Sequence, residues 1–372
     1  MRIPDLNVRH AVIAFFCVAL CGFALAAGIE HITVYRDPTH YVITPWLLRL
    51  KNGEMIVTMR QAHARRREQR SHTDPTARGV LIRSRDNGRT WTPPSVIDDE
   101  TYRFSQTEDV PVTQLSDGTL LVNLYSWALS PQPYGFQPFL RADGTEPLPF
   151  NATLEGLSTV RSTDNGHTWS RREKVHVPGL GALAARCPAI ELPDGTLLLS
   201  VGTRKFGPGL PYSGYVITSK DKGKTWGNPV FVAEDPERKL HFVEAGIVRL
   251  KSGKIILMHR TESYLYQSES MDDGKTWKPP FKTPMWGYPA HLLELKDGRI
   301  LCTYGHRRPP YGVRACISRD GGKTWDIDKE MVLRADGGTS DLGYPSVVEL
   351  PEGGVFSVYW FNNEKAGDAK SE

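Results

Sequence analysis

Arginines, carboxylates and one tyrosine stand next to short apolar segments of the sequence, at the points where strands would meet loops. The candidate residues are Arg60, His72, Asp74, Asp109, Arg186, Glu244, Arg260, Arg307, Arg314 and Tyr344. Arginine presents a planar fork of donors that matches a carboxylate, sulfate or phosphate group. A tyrosine is mostly protonated at neutral pH, so it acts as a nucleophile only beside a base. Brought together, these residues would suit an anionic sugar.

A short pattern, Ser-x-Asp-x-Gly-x-Thr-Trp, punctuates the chain between these candidates. Its five copies begin at Ser84, Ser162, Ser219, Ser270 and Ser318. Asp and Gly favour a tight turn in which the carboxylate accepts backbone N–H groups, and the Trp fills the space between hairpins. We therefore interpret each copy as a structural turn, called here an Asp box, and not as a source of catalytic aspartates.

A second repeat, Leu-x-polar-Gly between two apolar segments, alternates with the Asp boxes and predicts a hairpin turn. Its six copies begin at Leu50, Leu115, Leu192, Leu250, Leu295 and Leu350. One unit then contains four strands, and six units predict an all-β, six-bladed propeller of four-stranded antiparallel blades. The last unit lacks an Asp box, so we expect either a short last blade or a truncated sequence, with an N-terminal strand at residues 31–36 closing the ring.

The direction of the strands predicts which loops share a face of the propeller. The Gly turns and the Asp boxes fall on one face, and the longer, variable loops fall on the other. Function is expected on the face with the variable loops, which is also where the arginines, carboxylates and Tyr344 occur.

The N-terminus predicts export. Arg2 and Arg9 precede an apolar segment at residues 11–27, which contains Ala24-Leu25-Ala26 as a small-residue cleavage site. The predicted organisation is a signal peptide at 1–27 and a propeller at 28–372, secreted or periplasmic and with no membrane insertion after cleavage. An uncleaved anchor is the alternative, although the apolar segment is short for a membrane span.

Composition excludes several classes of function. A net charge of +4 over 372 residues, without a long basic segment, gives no nucleic-acid footprint. The histidines follow no ligand spacing, so neither a metal nor another cofactor is expected. After loss of the signal, Cys187, Cys302 and Cys316 remain. We expect free buried thiols, with Cys302 and Cys316 on facing strands.

The sequence resembles the sialidase superfamily over nearly the whole mature chain. The resemblance lies in the Asp boxes, in the order of the motifs, and in the segments VEAGIVRLKSGKIILMHR, YGVRACISRDGG and GYPSVVEL. The resemblance implies retaining hydrolysis of a terminal, anionic sugar, with Tyr344 as nucleophile and Glu244 as its base. It assigns Arg260 and Arg314 to the substrate, and Asp74 as acid/base by position in the first blade. Further substrate contacts are expected from Arg60, Arg186, Arg307, His72 and Asp109.

The first blade departs from the family pattern. Residues 41–45 read Tyr-Val-Ile-Thr-Pro where the family has an Arg-Ile-Pro segment, so one arginine of the expected three-arginine clamp is absent. The candidates to replace it are Arg60, Arg65, Arg186 and Arg204. Two alternatives stay open: a non-catalytic propeller that binds a glycan or protein, and a hydrolase or lyase for a non-sialic sugar, in which Tyr with His72 or His306 would serve as base and acid.

Overall fold

The structure is a computed structural model, and it describes residues 10–16, 28–63, 74–98, 105–131, 150–204, 211–261 and 263–362. Within these residues the fold is built from β-strands, and the one helical element is a short 3-10 turn at Ile327–Lys329. No helix among the described residues is long and apolar enough to cross a membrane.

The strands follow the repeats of the sequence, with short Gly turns and Asp boxes between them. The first two are β1 (His10–Phe16) and β2 (Ile29–Tyr35). The next four are β3 (His40–Arg49), β4 (Met55–His63), β5 (Arg78–Ser84) and β6 (Ser95–Asp98). They are followed by β7 (Ser105–Asp109), β8 (Val112–Gln114), β9 (Leu120–Pro131), β10 (Phe150–Ser162) and β11 (Glu173–Lys174).

The remaining strands repeat this order. They are β12 (Leu183–Ala184), β13 (Ile190–Glu191), β14 (Leu197–Thr203), β15 (Ser213–Ser219) and β16 (Gly227–Ala233). Then come β17 (Val243–Arg249), β18 (Ile255–Arg260), β19 (Tyr264–Ser270) and β20 (Phe281–Trp286). The last are β21 (Ala290–Glu294), β22 (Ile300–His306), β23 (Gly312–Ser318), β24 (Met331–Arg334), β25 (Gly343–Glu349) and β26 (Val355–Phe361).

Five antiparallel blades are formed from consecutive strands: β3–β6, β7–β11, β12–β16, β17–β20 and β21–β24. The all-β propeller is confirmed, with five such blades rather than the six predicted. The strands left over form one further sheet in the order β2-β1-β26-β25, which we call the terminal sheet. It combines the two ends of the described chain, so it is not a repeat of the same kind.

The terminal sheet corrects two details of the prediction. It has four strands, because β1, which lies inside the predicted signal peptide, pairs with both β2 and β26. The predicted closing strand does join this sheet as β2, but it lies at the edge and does not pair directly with β26. A segment of β-branched and aromatic residues such as HAVIAFF suits a strand as well as the apolar part of a signal. The export signal therefore stays a prediction.

The Asp boxes are structural turns in the fold. At the fourth blade, Asp272 accepts hydrogen bonds at Oδ1 from the Thr276 N–H (2.9 Å) and at Oδ2 from the Thr276 hydroxyl (2.6 Å), and the indole of Trp277 donates to the Gly274 carbonyl at 3.0 Å. These bonds hold the pKa of Asp272 at about 2, below its usual value. The carboxylate is used by the turn, as the sequence predicted.

The first strands of the sheets line the centre of the molecule. Contacts join β3 to β8, β13 to β17, β17 to β21, β21 to β25 and β25 back to β3. The pairing of first and second strands shifts register at Ile43/Trp46, Thr107/Asp109, Val243/Gly246 and Gly343/Ser346. Each shift marks a β-bulge, and bulges re-aim side chains beside functional sites. The bulges therefore determine which side chains reach the axis.

The three described cysteines are free and buried. Cys302 and Cys316 are direct cross-strand partners on β22 and β23, as the sequence predicted.

Candidate active site

One sequence position supplies most of the central side chains: the residue six places before the turn leucine of each repeat. It is Thr44, Asp109, Arg186, Glu244 and Tyr344 in five of the six repeats, and Pro289, next to Tyr288, in the remaining one. Thr44, Glu244 and Tyr344 have φ angles of 51°, 49° and 51°. These are left-handed conformations, uncommon for residues other than glycine, and such strain concentrates at functional sites.

Tyr344, Glu244 and Arg260 form a closed triangle of hydrogen bonds. The Tyr344 hydroxyl donates to Glu244 Oε2 at 3.1 Å, and Arg260 Nη1 donates to the same carboxylate oxygen at 2.6 Å. Arg260 Nη1 also lies 3.0 Å from the Tyr344 oxygen. Arg260 reaches this position because it ends β18 directly opposite Val243, the residue before Glu244. The phenol thus has an adjacent carboxylate that can accept its proton.

The charge state of this triangle follows from its surroundings. Burial disfavours the ionised form of Glu244, but Arg260, and beyond it Arg186 and Arg307, outweigh burial and hold its pKa below the usual value. Burial, reinforced by the Glu244 carboxylate, raises the pKa of Tyr344, and Arg260 and Arg307 oppose that rise. The resting pair is therefore a neutral phenol beside an ionised carboxylate, which is the state that a base and a nucleophile need.

Arg186 lies beneath the ring of Tyr344, with its guanidinium carbon 4.7 Å from the ring centre and 5.3 Å from that of Trp46. Its Nη2 donates to the carbonyl oxygens of Pro45 and Tyr344, each at 3.4 Å. The side chain is only 4% exposed. Its contacts reach β3, β7 and β25 of three other sheets, and its burial argues against the direct sugar contact that the sequence predicted.

Asp109 is the second buried carboxyl near the axis. Its Oδ1 lies 3.7 Å from Arg186 Nε and has no hydrogen-bond partner among the described residues. Burial raises the pKa of Asp109 to about 8; the carboxylates of Glu244 and Glu108 add to the rise, and Arg186 opposes it. At neutral pH Asp109 is therefore mostly protonated and Glu244 ionised. Two carboxyl groups whose surroundings shift their pKa values in opposite directions are typical of an acid and base pair.

Arg307 supplies a second arginine to the Tyr344 ring. Its guanidinium carbon lies 5.1 Å from the ring centre of Tyr344 and 5.3 Å from that of Tyr288, and its Nε donates to the Leu342 carbonyl at 3.1 Å. Arg260 lies over the same Tyr288 ring at 4.8 Å. Tyr288 thus supports two guanidinium groups through cation–π contacts. The two arginines are only partly buried, so they can meet an anion.

Arg314 is not part of this group. Its guanidinium donates to the Arg334 carbonyl at 2.8 Å and lies 3.7 Å from Glu330, both on the outer side of the fifth blade. The reason is its position on β23, the third strand of the blade, whereas the central residues lie on first strands or at the end of a second. The predicted substrate contact of Arg314 stays a prediction, and of the two predicted arginines in this blade it is Arg307 that lies beside Tyr344.

Arg60 occupies in the first blade the position that Arg260 has in the fourth, because it pairs with Ile43, the residue before Thr44. Its side chain is fully buried and points to the second blade, where its Nε donates to the Thr107 carbonyl at 3.1 Å and its Nη2 to Gln106 at 3.0 Å. These contacts join two blades, and they do not bring Arg60 to Tyr344.

Asp74 adopts the geometry of a turn cap. Its Oδ1 accepts from the N–H and the hydroxyl of Thr76, at 2.8 and 2.7 Å, and the side chain is 2% exposed. Its role as acid/base stays a prediction.

His72 and Arg65 lie outside the described residues. Arg204 stacks on Tyr212 at 4.9 Å. His306 Nδ1 lies 3.0 Å from the Pro310 carbonyl, with its ring against Trp286.

Sequence reasoning missed two residues of the site, Tyr288 and Trp46. Both could have been found from the position six places before each turn leucine. That position is Pro289 in the fifth blade, next to Tyr288, and Thr44 in the first blade. Trp46 follows two residues after Thr44. In the described part of the chain, no group of three or more His, Cys, Asp or Glu side chains is arranged to hold a metal ion.

Comparison with known proteins adds family information to this geometry. The family described as BNR repeat-like domain matches residues 149–357. A sialidase of Paraclostridium sordellii is 28% identical over 214 residues, which cover 53% of this chain and 48% of that protein. The chain spans about half the length of the curated relatives it matches.

Among the solved structures that share the fold are two that cover nearly all of this chain. A protein of unknown function from Dyadobacter fermentans DSM 18053 is 27% identical and has a TM-score of 0.72, with 97% of this chain and 100% of that one covered. The Hadza microbial sialidase Hz136 is 19% identical with a TM-score of 0.59, covering 92% of this chain and 70% of that one.

Proposed function

The chain belongs to the BNR repeat-like family within the sialidase superfamily, and on that premise we propose that it is an exported glycoside hydrolase that cleaves a terminal, anionic sugar with retention of configuration. The observation that carries the proposal is the hydrogen bond between the Tyr344 hydroxyl and Glu244 Oε2, at 3.1 Å. A propeller that only binds a ligand has no need for a base beside a strained, buried tyrosine.

The first step forms a glycosyl-tyrosine. The Tyr344 oxygen attacks the anomeric carbon while Glu244 takes the phenolic proton, and the bond between that carbon and the leaving oxygen breaks. In the second step water attacks the same carbon, the bond to Tyr344 breaks, and Glu244 returns the proton to the phenol. A neutral phenol suits a substrate whose own negative charge would repel a carboxylate nucleophile.

The proton balance also needs a group at the leaving oxygen. We retain Asp74 as the candidate that protonates this oxygen and then accepts a proton from the attacking water. Its support is its position in the first blade alone. One of its carboxylate oxygens, Oδ1, already accepts hydrogen bonds from Thr76.

The charges around Tyr344 favour an anionic substrate. Three guanidinium groups, those of Arg186, Arg260 and Arg307, surround it, and Glu244 is the ionised carboxylate among them. The exposed parts of Arg260 and Arg307 are the groups that would bind a carboxylate or sulfate of the sugar. Arginine is the residue best suited to either anion.

Export requires loss of β1, since residues 1–27 are the proposed signal. We propose that β2 then pairs with β26, so that the terminal sheet becomes a three-stranded sixth blade closed by an N-terminal strand. In support, β25 and β26 pack on β3, and a Cβ at Gly88 of the first blade would lie 2.4 Å from Phe356. N-terminal sequencing of protein recovered outside the cytoplasm should begin near residue 28; a retained Met1 would contradict this.

A second candidate function is hydrolysis of a terminal sugar other than sialic acid. Thr44 stands at the first-blade axis position, and Tyr41, Ile43, Tyr344 and Trp360 form an apolar cluster beside it. None of these side chains carries a positive charge, so the cluster offers no counter-ion to a carboxylate on the anomeric carbon. The anion would then lie elsewhere on the sugar, as in a uronide or a sulfated sugar.

A substrate screen tests the proposal and separates the two candidates. Wild-type protein and Tyr344→Phe are incubated with fluorogenic sialosides, uronides and sulfated glycosides, with Tyr264→Phe as a control on the outer part of the fourth blade. We expect one substrate class to be cleaved by wild type and by the control and not by Tyr344→Phe. Cleavage of none of them would favour a binding protein, and a product absorbing in the ultraviolet as an unsaturated uronate would indicate a lyase.

A further inference from the structure

Arg186 is the side chain through which the buried parts of the site are connected. It reaches Tyr344 through the ring face and the backbone carbonyl, the first blade through Trp46 and the Pro45 carbonyl, and the second blade through Asp109. Its Nε and Nη1 make no hydrogen bond among the described residues. A buried cation with so few bonded donors is held by ring faces and by opposite charge.

The charge of Arg186 acts on the same carboxylates that face one another at the axis. The groups that face Glu244 are Arg260 on β18, Tyr344 on β25, Asp109 on β7, Tyr125 on β9, Arg186 and Arg307. Glu108 adds a further negative charge near Asp109. Three carboxyl groups thus share a site of low solvent access, and like charges in such a site cannot all stay ionised without a counter-charge.

We propose that Arg186 is a positioning residue for the reaction: it holds the ring of Tyr344 through the ring face and, as a buried counter-charge, acts with Arg260 to keep Glu244 ionised as the base. The inference rests on the proposed function, since it concerns the base of that reaction. It assigns Arg186 no contact with the sugar.

The geometry supports both parts. The planar guanidinium lies against Tyr344 at 4.7 Å and is bonded to the Tyr344 carbonyl, so it restrains both the ring and the left-handed backbone at this residue. Arg260 alone cannot make this restraint, because its bonds are to the hydroxyl and to Glu244. Removal of Arg186 leaves the carboxyl groups with one buried cation fewer, which favours the protonated form of Glu244.

The test compares wild type with Arg186→Met and Arg186→Lys in the full chain. Glutamate is labelled with ¹³C at the carboxyl carbon, and the Glu244 resonance is assigned by its loss in Glu244→Gln. We expect Arg186→Met to raise the Glu244 titration midpoint by roughly 1–3 pH units, the usual effect of one nearby opposite charge. The acid limb of the kcat/KM profile should move by the same amount.

Arg186→Lys keeps the charge and loses the planar contact. Its Glu244 titration is expected to stay near that of wild type while kcat falls about tenfold, the loss caused by a poorly oriented nucleophile. If Arg186→Met does not fold, Arg186→Lys carries the test, and a wild-type kcat in that variant would overturn the inference.

Arg172→Met is the matched control, because the Arg172 side chain is also largely buried, at 8% exposed, and is bound to Asp98 on the outer strand of the first blade. An equal shift of Glu244 in this control, or an unshifted Glu244 in a folded Arg186→Met, would overturn the proposal. If wild type cleaves no substrate but its Glu244 titration still depends on Arg186, the proposed hydrolysis has failed and the electrostatic role has not.

Discussion

Glu244 and Tyr344 share a backbone conformation as well as a hydrogen bond. Their φ angles are 49° and 51°, each lies at a bulge in the first strand of its sheet, and each stands six residues before a turn leucine. Two repeats that are a hundred residues apart in sequence thus use the same local distortion to direct a base and a nucleophile to one point. The repeat architecture itself produces the pair.

The Asp74→Asn variant distinguishes whether Asp74 acts as a general acid or only caps a turn. Asp74→Asn is expected to slow cleavage of substrates with a poor leaving group about a hundredfold or more, the usual contribution of a general acid, and to spare substrates with a good one. The measurement is kcat/KM for an alkyl and a nitrophenyl glycoside of the same sugar. An equal loss on both glycosides would mean that Asp74 only holds the Thr76 turn.

Substitution of Arg307 should affect substrate binding, whereas substitution of Arg314 should affect stability. Arg307→Met removes a partly exposed guanidinium from the Tyr344 ring, so KM is expected to rise roughly 10- to 100-fold, as for loss of a charge-assisted hydrogen bond. Arg314→Met removes a buried guanidinium from the fifth blade and is expected to lower the free energy of unfolding by about 2 kcal/mol. Steady-state kinetics and urea denaturation of both variants check this, and a rise in KM confined to Arg314→Met would restore the assignment made from sequence.

The raised pKa of Asp109 predicts that the folded protein becomes less stable as the pH rises from acid to neutral. Burial raises the pKa of Asp109 to about 8 from 3.8, so between these values the unfolded chain has released a proton that the native state keeps. The free energy of unfolding should therefore fall by up to about 1.4 kcal/mol per pH unit from this group.

Asp109→Asn should remove that slope. Urea denaturation of wild type and variant at roughly pH 5, 6, 7 and 8 measures it. Because the pKa of Glu244 is lowered, its own effect has the opposite sign and falls at lower pH. Parallel curves for the two proteins over this range would mean that Asp109 is ionised in the native state.

Much of the fold could be predicted from the sequence because its turns are local. The Asp boxes and the Gly turns depend on residues within one hairpin, so their pattern is sufficient to place them. The terminal sheet could not be predicted in the same way, because its strands come from both ends of the chain and their pairing depends on long-range packing.

Glu244, Arg260 and Tyr344 were predicted from the resemblance to the sialidase superfamily, and the structure places their side chains in hydrogen-bond contact. Arg307 and Arg314 look alike in sequence, but Arg307 follows the end of β22 whereas Arg314 lies within β23, and only Arg307 contacts the Tyr344 ring. The burial of Arg186 beneath Tyr344 also depends on neighbouring sheets, which a single repeat does not encode. A lone sequence therefore gives the residue types of the site better than their distances from the substrate.

The central claim, that Tyr344 is the nucleophile activated by Glu244, is tested most directly by trapping the covalent intermediate. The substrate found by the screen is prepared with fluorine beside the anomeric carbon and with a good leaving group, so that the glycosyl-enzyme forms faster than it is hydrolysed. After proteolysis, mass spectrometry should find one sugar unit on the Tyr344 peptide, and none in Tyr344→Phe. A sugar attached to Glu244 or to another residue, or a product of inverted configuration without any adduct, would contradict the claim.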